Sequence, residues 1–162
     1  DITAVGWKGL VNKDAWDGYP AEQQDIIQTI KNNNIENVVF VTGDTHRNWA
    51  FEVPESIPAY KENPLATVAV EFGTTSISAP NANERSSDEE VIEIEKNSMD
   101  PLFNPHLKYN NQRDHGYVLL TVSTEEAVAE FRIVESIRER TTGQKTDKTV
   151  IVKSGSHQLT LQ

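Results

Sequence analysis

The sequence predicts an α/β fold with α+β layering, and three observations carry that expectation. The stretch "AEQQDIIQTIKNNN" places Ile26, Ile27 and Ile30 on one face of a helix. The β-branched run "NVVFVTG", residues 37–43, follows almost at once and reads as a strand buried on both faces. A helix leading into a buried strand belongs to a layered arrangement in which each element covers the other's apolar face. The third observation is a set of strand-like runs in the second half, two of which are broken only by short turns.

Taken in order, "DAWDGY" at 14–19 reads as a loop, and Pro20 suits the first turn of the helix, where a backbone N–H is not needed. The Asn run at 32–34 marks the helix end. "LATVAVEFG", 65–73, is a second core strand. "SSDEEVIEIEKNS" carries a capping box, Ser87 standing three residues before Glu90, and predicts a short acidic helix. "DPLFNPHLKYNNQRDHGY", rich in Pro and Asn, reads as a long loop kept ordered by Leu102, Phe103, Leu107 and Tyr109. "GYVLLTVS" and "AVAEFRIVES", separated by "TEE", form a hairpin, and "KTVIVKSGSHQLTLQ" turns about a glycine as another.

With 162 residues the chain suffices for one domain with a modest core. A net charge of -10 argues against a nucleic-acid-binding surface, since its field repels phosphates. It does not exclude a phosphate substrate, because bound cations can dominate the field of a site. The absence of cysteine excludes disulfides and thiolate metal sites within the chain. No apolar run reaches the roughly 18 residues a membrane helix needs. The opening "DITAVGWKGL" shows neither an initiator Met nor a signal peptide, and fits a processed terminus or an excised piece.

The chemistry-bearing residues cluster at the end of the first strand. In "GDTH", Gly43 lets the chain turn, and an extended backbone would aim Asp44 and His46 to one side. Ligands of open α/β sheets gather beyond the carboxyl ends of strands, where this segment sits. A carboxylate supplies a hard oxygen for Ca²⁺ or Fe³⁺ and a neutral imidazole suits a transition metal, so the pair makes half of a metal site. The same tetrapeptide, read alone, also fits an aspartate capping a turn and a surface histidine. Asp17 of "WDGYP" is a further candidate ligand, or an acidic residue at a helix entry with Trp16 and Tyr19 as packing anchors. Arg47 is placed to bind a phosphate oxygen or to be a solvated charge. His106 and His115 are candidate substrate contacts, although a loop histidine more often orders its own loop. His157, in the terminal turn, is assigned no role.

Together, "DAWDGYPAEQQ", "NVVFVTGDTHRNWA", "VAVEFGTTSISAP" and "NPHLKYNNQRDHGYVLLTVS" resemble, in order and spacing, the alkaline phosphatase D-type (PhoD-like) phosphatases of the metallophosphoesterase superfamily. The resemblance spans roughly residues 14–136, and the 27-residue interval between Asp17 and Asp44 fits it. It implies a β-sandwich flanked by helices and a secreted, periplasmic or cell-wall enzyme. Such an enzyme hydrolyses phosphate mono- and diesters at a cluster with Fe³⁺ and Ca²⁺ that binds phosphate and activates a hydroxide. By motif, Asp44 and His46 match catalytic metal ligands, and Asp17 matches another.

The departure is large. Family members are considerably longer, and no upstream Asp-x-His motif, Gly-Asn-His/Asp segment or cysteine ligand is present here. The expectation is therefore that residues 1–162 form a single domain equivalent to the C-terminal half of the sandwich. It would be inactive alone, self-associate, and complete its site only with the missing N-terminal half. The competing expectation is a non-catalytic interaction module that works through the acidic 84–100 segment. A third reading, an acidic α/β domain whose "GDTH" is only a turn, is disfavoured by the four ordered blocks.

Overall fold

Pro20 opens helix α1 (Pro20–Asn32), whose first turn carries Glu22 and whose last carries Lys31, each charge favourable to the helix dipole. Its buried side chains, Ile27 and Ile30, lie against Val53, Val68 and Ala69, with Trp16, Ile26, Val38 and Phe40 closing the contact. Each isoleucine contributes about 1.5–3 kcal/mol by leaving water, which is what fixes the helix on a sheet. The structure, a computed structural model, describes residues 14–140 and 143–162.

That sheet has four strands, β1 (Val39–Thr42), β2 (Asn48–Pro54), β3 (Thr67–Gly73) and β4 (Leu107–Asn111), in the order β1-β3-β2-β4. β1 runs parallel to β3, with Thr42 opposite Gly73, while β2 is antiparallel to both β3 and β4. Every residue of β2 and β3 is buried. A second sheet, wholly antiparallel, follows in chain order: β5 (Gly116–Val122), β6 (Glu126–Val134), β7 (Gln144–Lys153) and β8 (Leu159–Leu161).

The two sheets face each other across one core. Ala50, Val70, Phe72 and Tyr109 of the first meet Ala127, Ala129, Phe131, Val150 and Val152 of the second. β6 alternates strictly, its odd-numbered residues from Ala127 to Ile133 pointing inward. Phe131 is the central knob, 4.6 Å ring to ring from Tyr109 and edge-on to Phe72 at 6.4 Å. The result is a mixed α+β sandwich with α1 on the outer face of the first sheet.

Short polar contacts tie the layers. Glu52, buried in β2, accepts from Tyr60 Oη, from the Leu159 backbone N–H at 2.8 Å and from Lys108 Nζ at 3.3 Å. It thereby joins β2 to helix α2 (Ile57–Glu62), to β4 and to β8. Burial, reinforced by the Glu52 carboxylate, pushes the Tyr60 hydroxyl pKa up. Tyr109 Oη donates to Asp147 Oδ2 at 2.6 Å, crossing from the first sheet to the second. Helix α3 (Asp88–Ser98) begins with the expected box, Ser87 Oγ accepting from Glu90 N and Glu90 Oε2 from Ser87 N.

Three expectations are corrected. β1 is not buried on both faces: it is the edge strand of its sheet, and Val41 is 61% exposed. Its β-branched residues have the composition of an interior strand, but among the described residues only β3 pairs with it. The Pro- and Asn-rich segment at 100–117 is not all loop, since it contains β4, whose alternation is masked by half-buried Lys108 and Asn110. "DAWDGY" contains a 3-10 turn, Trp16–Gly18. β2 and α2 were not anticipated.

Candidate metal and phosphate site

Parallel pairing of β1 with β3 sends two loops from the same end of the sheet. One, 43–47, leaves Thr42; the other, 74–81, leaves Gly73. Thr74 N continues the ladder to Thr42 O at 2.9 Å, and Thr75 N donates to Asn48 Oδ1 at 3.1 Å, so the loops are joined at their base.

The first loop is bent in an unusual way. Asp44 and His46 both lie in the left-handed region, with φ of 72° and 57°. Thr45 N closes onto Gly43 O at 2.9 Å, which makes Asp44 the centre of a tight three-residue turn. Such conformations cost about 1–3 kcal/mol each and persist where the surroundings hold them. Here the holding group is Trp49: its Nε1 donates to Thr45 Oγ1 at 3.1 Å. The indole lies so close to β3 that a Cβ on Gly73 would stand 3.0 Å from Trp49 Cδ1 and 3.3 Å from Thr42 Oγ1. The segment is thus not extended, and simple alternation of side chains does not describe it.

Asp44 is exposed and His46 half-buried. His46 Nδ1 lies 3.0 Å from the carbonyl oxygen of Pro80. A carbonyl only accepts, so Nδ1 carries the hydrogen, and it is Nε2 that holds the lone pair whenever the ring is neutral. That is the tautomer a metal-binding imidazole needs, with a backbone carbonyl as its outer partner. The donor set is therefore one carboxylate and one imidazole nitrogen, which fits two positions of a metal site. Among the described residues no three His, Asp or Glu side chains converge on one point. The backbone of Asp17 lies in the 3-10 turn before α1; its side chain is outside what the structure describes.

Arg47, next along the loop, is half-buried, with its guanidinium carbon 5.9 Å from the Trp49 ring centroid. Burial and then the charge of Arg85 hold its pKa below the ordinary arginine value. The positive charge of Arg85 thus acts on the Arg47 guanidinium, in a chain whose net charge is -10. Arg85 was not singled out in the sequence, and no pattern marks it, because it lies in a different loop from Arg47.

The two loop histidines separate. His106 is buried, 1% exposed, and stacks on Phe51 at 5.5 Å, so it packs in the core where a substrate does not reach. His115 orders the second loop: Nδ1 lies 3.1 Å from Ser76 O and 3.2 Å from Ser76 Oγ, and Nε2 lies 3.0 Å from Glu84 Oε2. Asn81, buried beside Pro80, receives the Thr75 and Ser76 hydroxyls on Oδ1 and donates from Nδ2 to Arg113 O. His157 Nδ1 meets Thr67 O at 3.1 Å, a contact between the terminal turn and the first sheet.

The family model described as PhoD-like phosphatase matches residues 5–131. Alkaline phosphatase D of Bacillus subtilis (strain 168) is 31% identical over 131 residues, which is 80% of this chain and 20% of that protein. The solved structure titled "Structure of PhoD" superposes with a TM-score of 0.70 at 26% identity, covering 91% of this chain and 26% of that one. The chain therefore spans about a fifth of the length of the curated relative it matches.

Proposed function

This chain belongs to the PhoD-like phosphatase family, and from that premise we propose that it is the C-terminal portion of a metal-dependent phosphoric ester hydrolase. Asp44, His46 and Asp17 contribute metal ligands and Arg47 a phosphate contact. The observation that carries the reading is the strained Gly43–His46 turn, in which the His46 ring is fixed by Pro80 O with Nε2 available. Strain of this kind clusters at functional sites.

When bound, the metals, Fe³⁺ and Ca²⁺ in this reading, supply charge that offsets the phosphate oxygens and lower the pKa of a coordinated water. The residues of this chain do the rest. Asp44 presents an exposed carboxylate, His46 Nε2 presents a lone pair, and Arg47 with Arg85 draws a phosphate mono- or diester to the loop edge. Trp49 holds the turn in place beneath them.

The ligand set is incomplete within the described residues, and the remaining donors are assigned to an N-terminal half of the catalytic domain. The open flank of the sandwich supports this. Among the described residues β1 and β5 are each an outer strand of their sheet with one partner strand, and Val41, Leu119 and Val122 stand 61, 44 and 68% exposed on them. Apolar edge strands of this kind invite pairing, so the isolated chain is proposed to be inactive and to self-associate. A secreted or cell-wall location belongs to the same reading. Among the described residues no helix is long and apolar enough to cross a membrane.

The test is hydrolysis of bis-p-nitrophenyl phosphate by this chain expressed with the N-terminal half. Turnover that depends on metal and is lost in Asp44→Asn and His46→Ala supports the assignment. Turnover that survives both substitutions overturns it.

A further inference from the structure

The Pro80–Asn81 peptide is engaged on both sides by groups that bear on His46. Its carbonyl oxygen, on Pro80, accepts from His46 Nδ1 at 3.0 Å. Its N–H, on Asn81, donates to Glu84 Oε2 at 2.9 Å. The same carboxylate oxygen lies 3.0 Å from His115 Nε2. Four groups from three segments therefore stand in one line: His115, Glu84, the 80–81 peptide and His46. An amide whose N–H bonds to a carboxylate is polarised, and its carbonyl becomes a stronger acceptor, because hydrogen bonds in a chain reinforce one another.

We infer that His115 and Glu84 are positioning residues that act through the Pro80–Asn81 peptide to keep the His46 ring protonated at Nδ1 with Nε2 turned outward. The inference rests on the reading of His46 as a metal ligand, and extends it to residues that touch neither metal nor substrate. Two further observations support it. The backbone N–H of Asn81 and the His115 contact hold the Glu84 carboxyl pKa below its ordinary value, so the carboxylate stays charged at neutral pH. The buried Asn81 side chain, held by Thr75, Ser76 and Arg113 O, fixes the peptide's orientation independently of His46.

Neutral histidine has two tautomers, and two-bond proton–nitrogen NMR of the ring distinguishes them in the metal-free full chain at about pH 8, above the ordinary histidine pKa. The expected result is Nδ1–H for wild type, a measurable shift of the ring population toward Nε2–H in Glu84→Ala, and retention of the wild-type pattern in Glu84→Gln, whose amide oxygen still accepts from Asn81 N–H. Glu84 is exposed, so these variants leave the core intact, which the backbone amide spectrum checks. His115→Gln gives a second entry to the same chain, with a weakened Nδ1–H preference. An Nε2–H ring in wild type, or an unchanged ring in Glu84→Ala, overturns the inference. Loss of phosphodiesterase turnover in Asp44→Asn alongside an unchanged ring in Glu84→Ala would leave the function standing and remove the relay. A ring change with no metal-dependent turnover in the reconstituted protein would do the reverse.

Discussion

His46 Nδ1 and the Pro80 carbonyl oxygen stand 3.0 Å apart, across two loops that leave neighbouring parallel strands. The bond joins the ring that carries the proposed ligand nitrogen to a backbone held by Asn81. Outer-shell partners of a ligand histidine are worth about 10–100-fold in metal affinity or activity. Removing the ligand itself, as in His46→Ala or Asp44→Asn, is expected to cost at least about 100-fold in turnover of the reconstituted enzyme. Stopped assays across a metal titration check this, and excess metal does not restore the rate.

Arg47 is expected to act on substrate affinity. A hydrogen bond to a charged group is worth about 1.5–3 kcal/mol, so Arg47→Ala should raise KM by roughly ten- to a hundredfold. Arg47→Lys should recover only part of this, because an ammonium lacks the planar fork and the stacking on Trp49. Initial-rate kinetics over a substrate series separate KM from kcat.

Gly116 tests the fold. A Cβ there would lie 1.9 Å from the carbonyl oxygen of Arg132 on β6, and backbone cannot swing away as a side chain can. Gly116→Ala should destabilise the chain by about 3 kcal/mol, at the upper end of ordinary overpacking costs, read as a lowered urea midpoint. Little change in midpoint would mean that β5 and β6 do not pair closely at Gly116 and Ile133.

Tyr109 ties the two sheets and sets a limit at alkaline pH. Burial first, and then the Asp147 carboxylate, raise its hydroxyl pKa. Asp147 Oδ2 also receives Asn111 Nδ2, which in turn reaches Asp114. A raised pKa means the folded state retains a proton that the unfolded state releases above about pH 10. This contribution is therefore full below that pH and is lost as pH rises beyond it. Tyr109→Phe should cost about 1.5–3 kcal/mol at neutral pH and flatten the alkaline fall, as measured by urea unfolding from about pH 8 to pH 11. Tyr60, raised in the same direction by burial and Glu52, remains in that variant and leaves a residual slope.

The sequence showed the helices and hairpins whose signals are local. Ile26, Ile27 and Ile30 recur at helical spacing, and Ser87 with Glu90 spells a capping box that the structure contains. β4 escaped notice because Lys108 and Asn110 alternate with its buried residues inside a run rich in Pro and Asn. The edge position of β1 escaped because the number of neighbours a strand has is set by assembly, not by its own residues. At the site, Asp44 and His46 announced themselves as side chains. Their turn did not, since two left-handed residues follow from packing under Trp49. Pro80 offers a backbone carbonyl, which no sequence pattern advertises, and Glu84 and His115 meet across 31 residues.

A chain that supplies one half of a composite metal site needs the other half for turnover. Bis-p-nitrophenyl phosphate is offered, with Fe³⁺ plus Ca²⁺ or with chelator, to the isolated chain and to the chain joined by the N-terminal half. The expected result for such a shared site is no turnover from the isolated chain under any metal and chelator-sensitive turnover from the pair. Chelator-sensitive turnover by the isolated chain, abolished in Asp44→Asn, would contradict it by showing that the 162 residues assemble a complete site of their own.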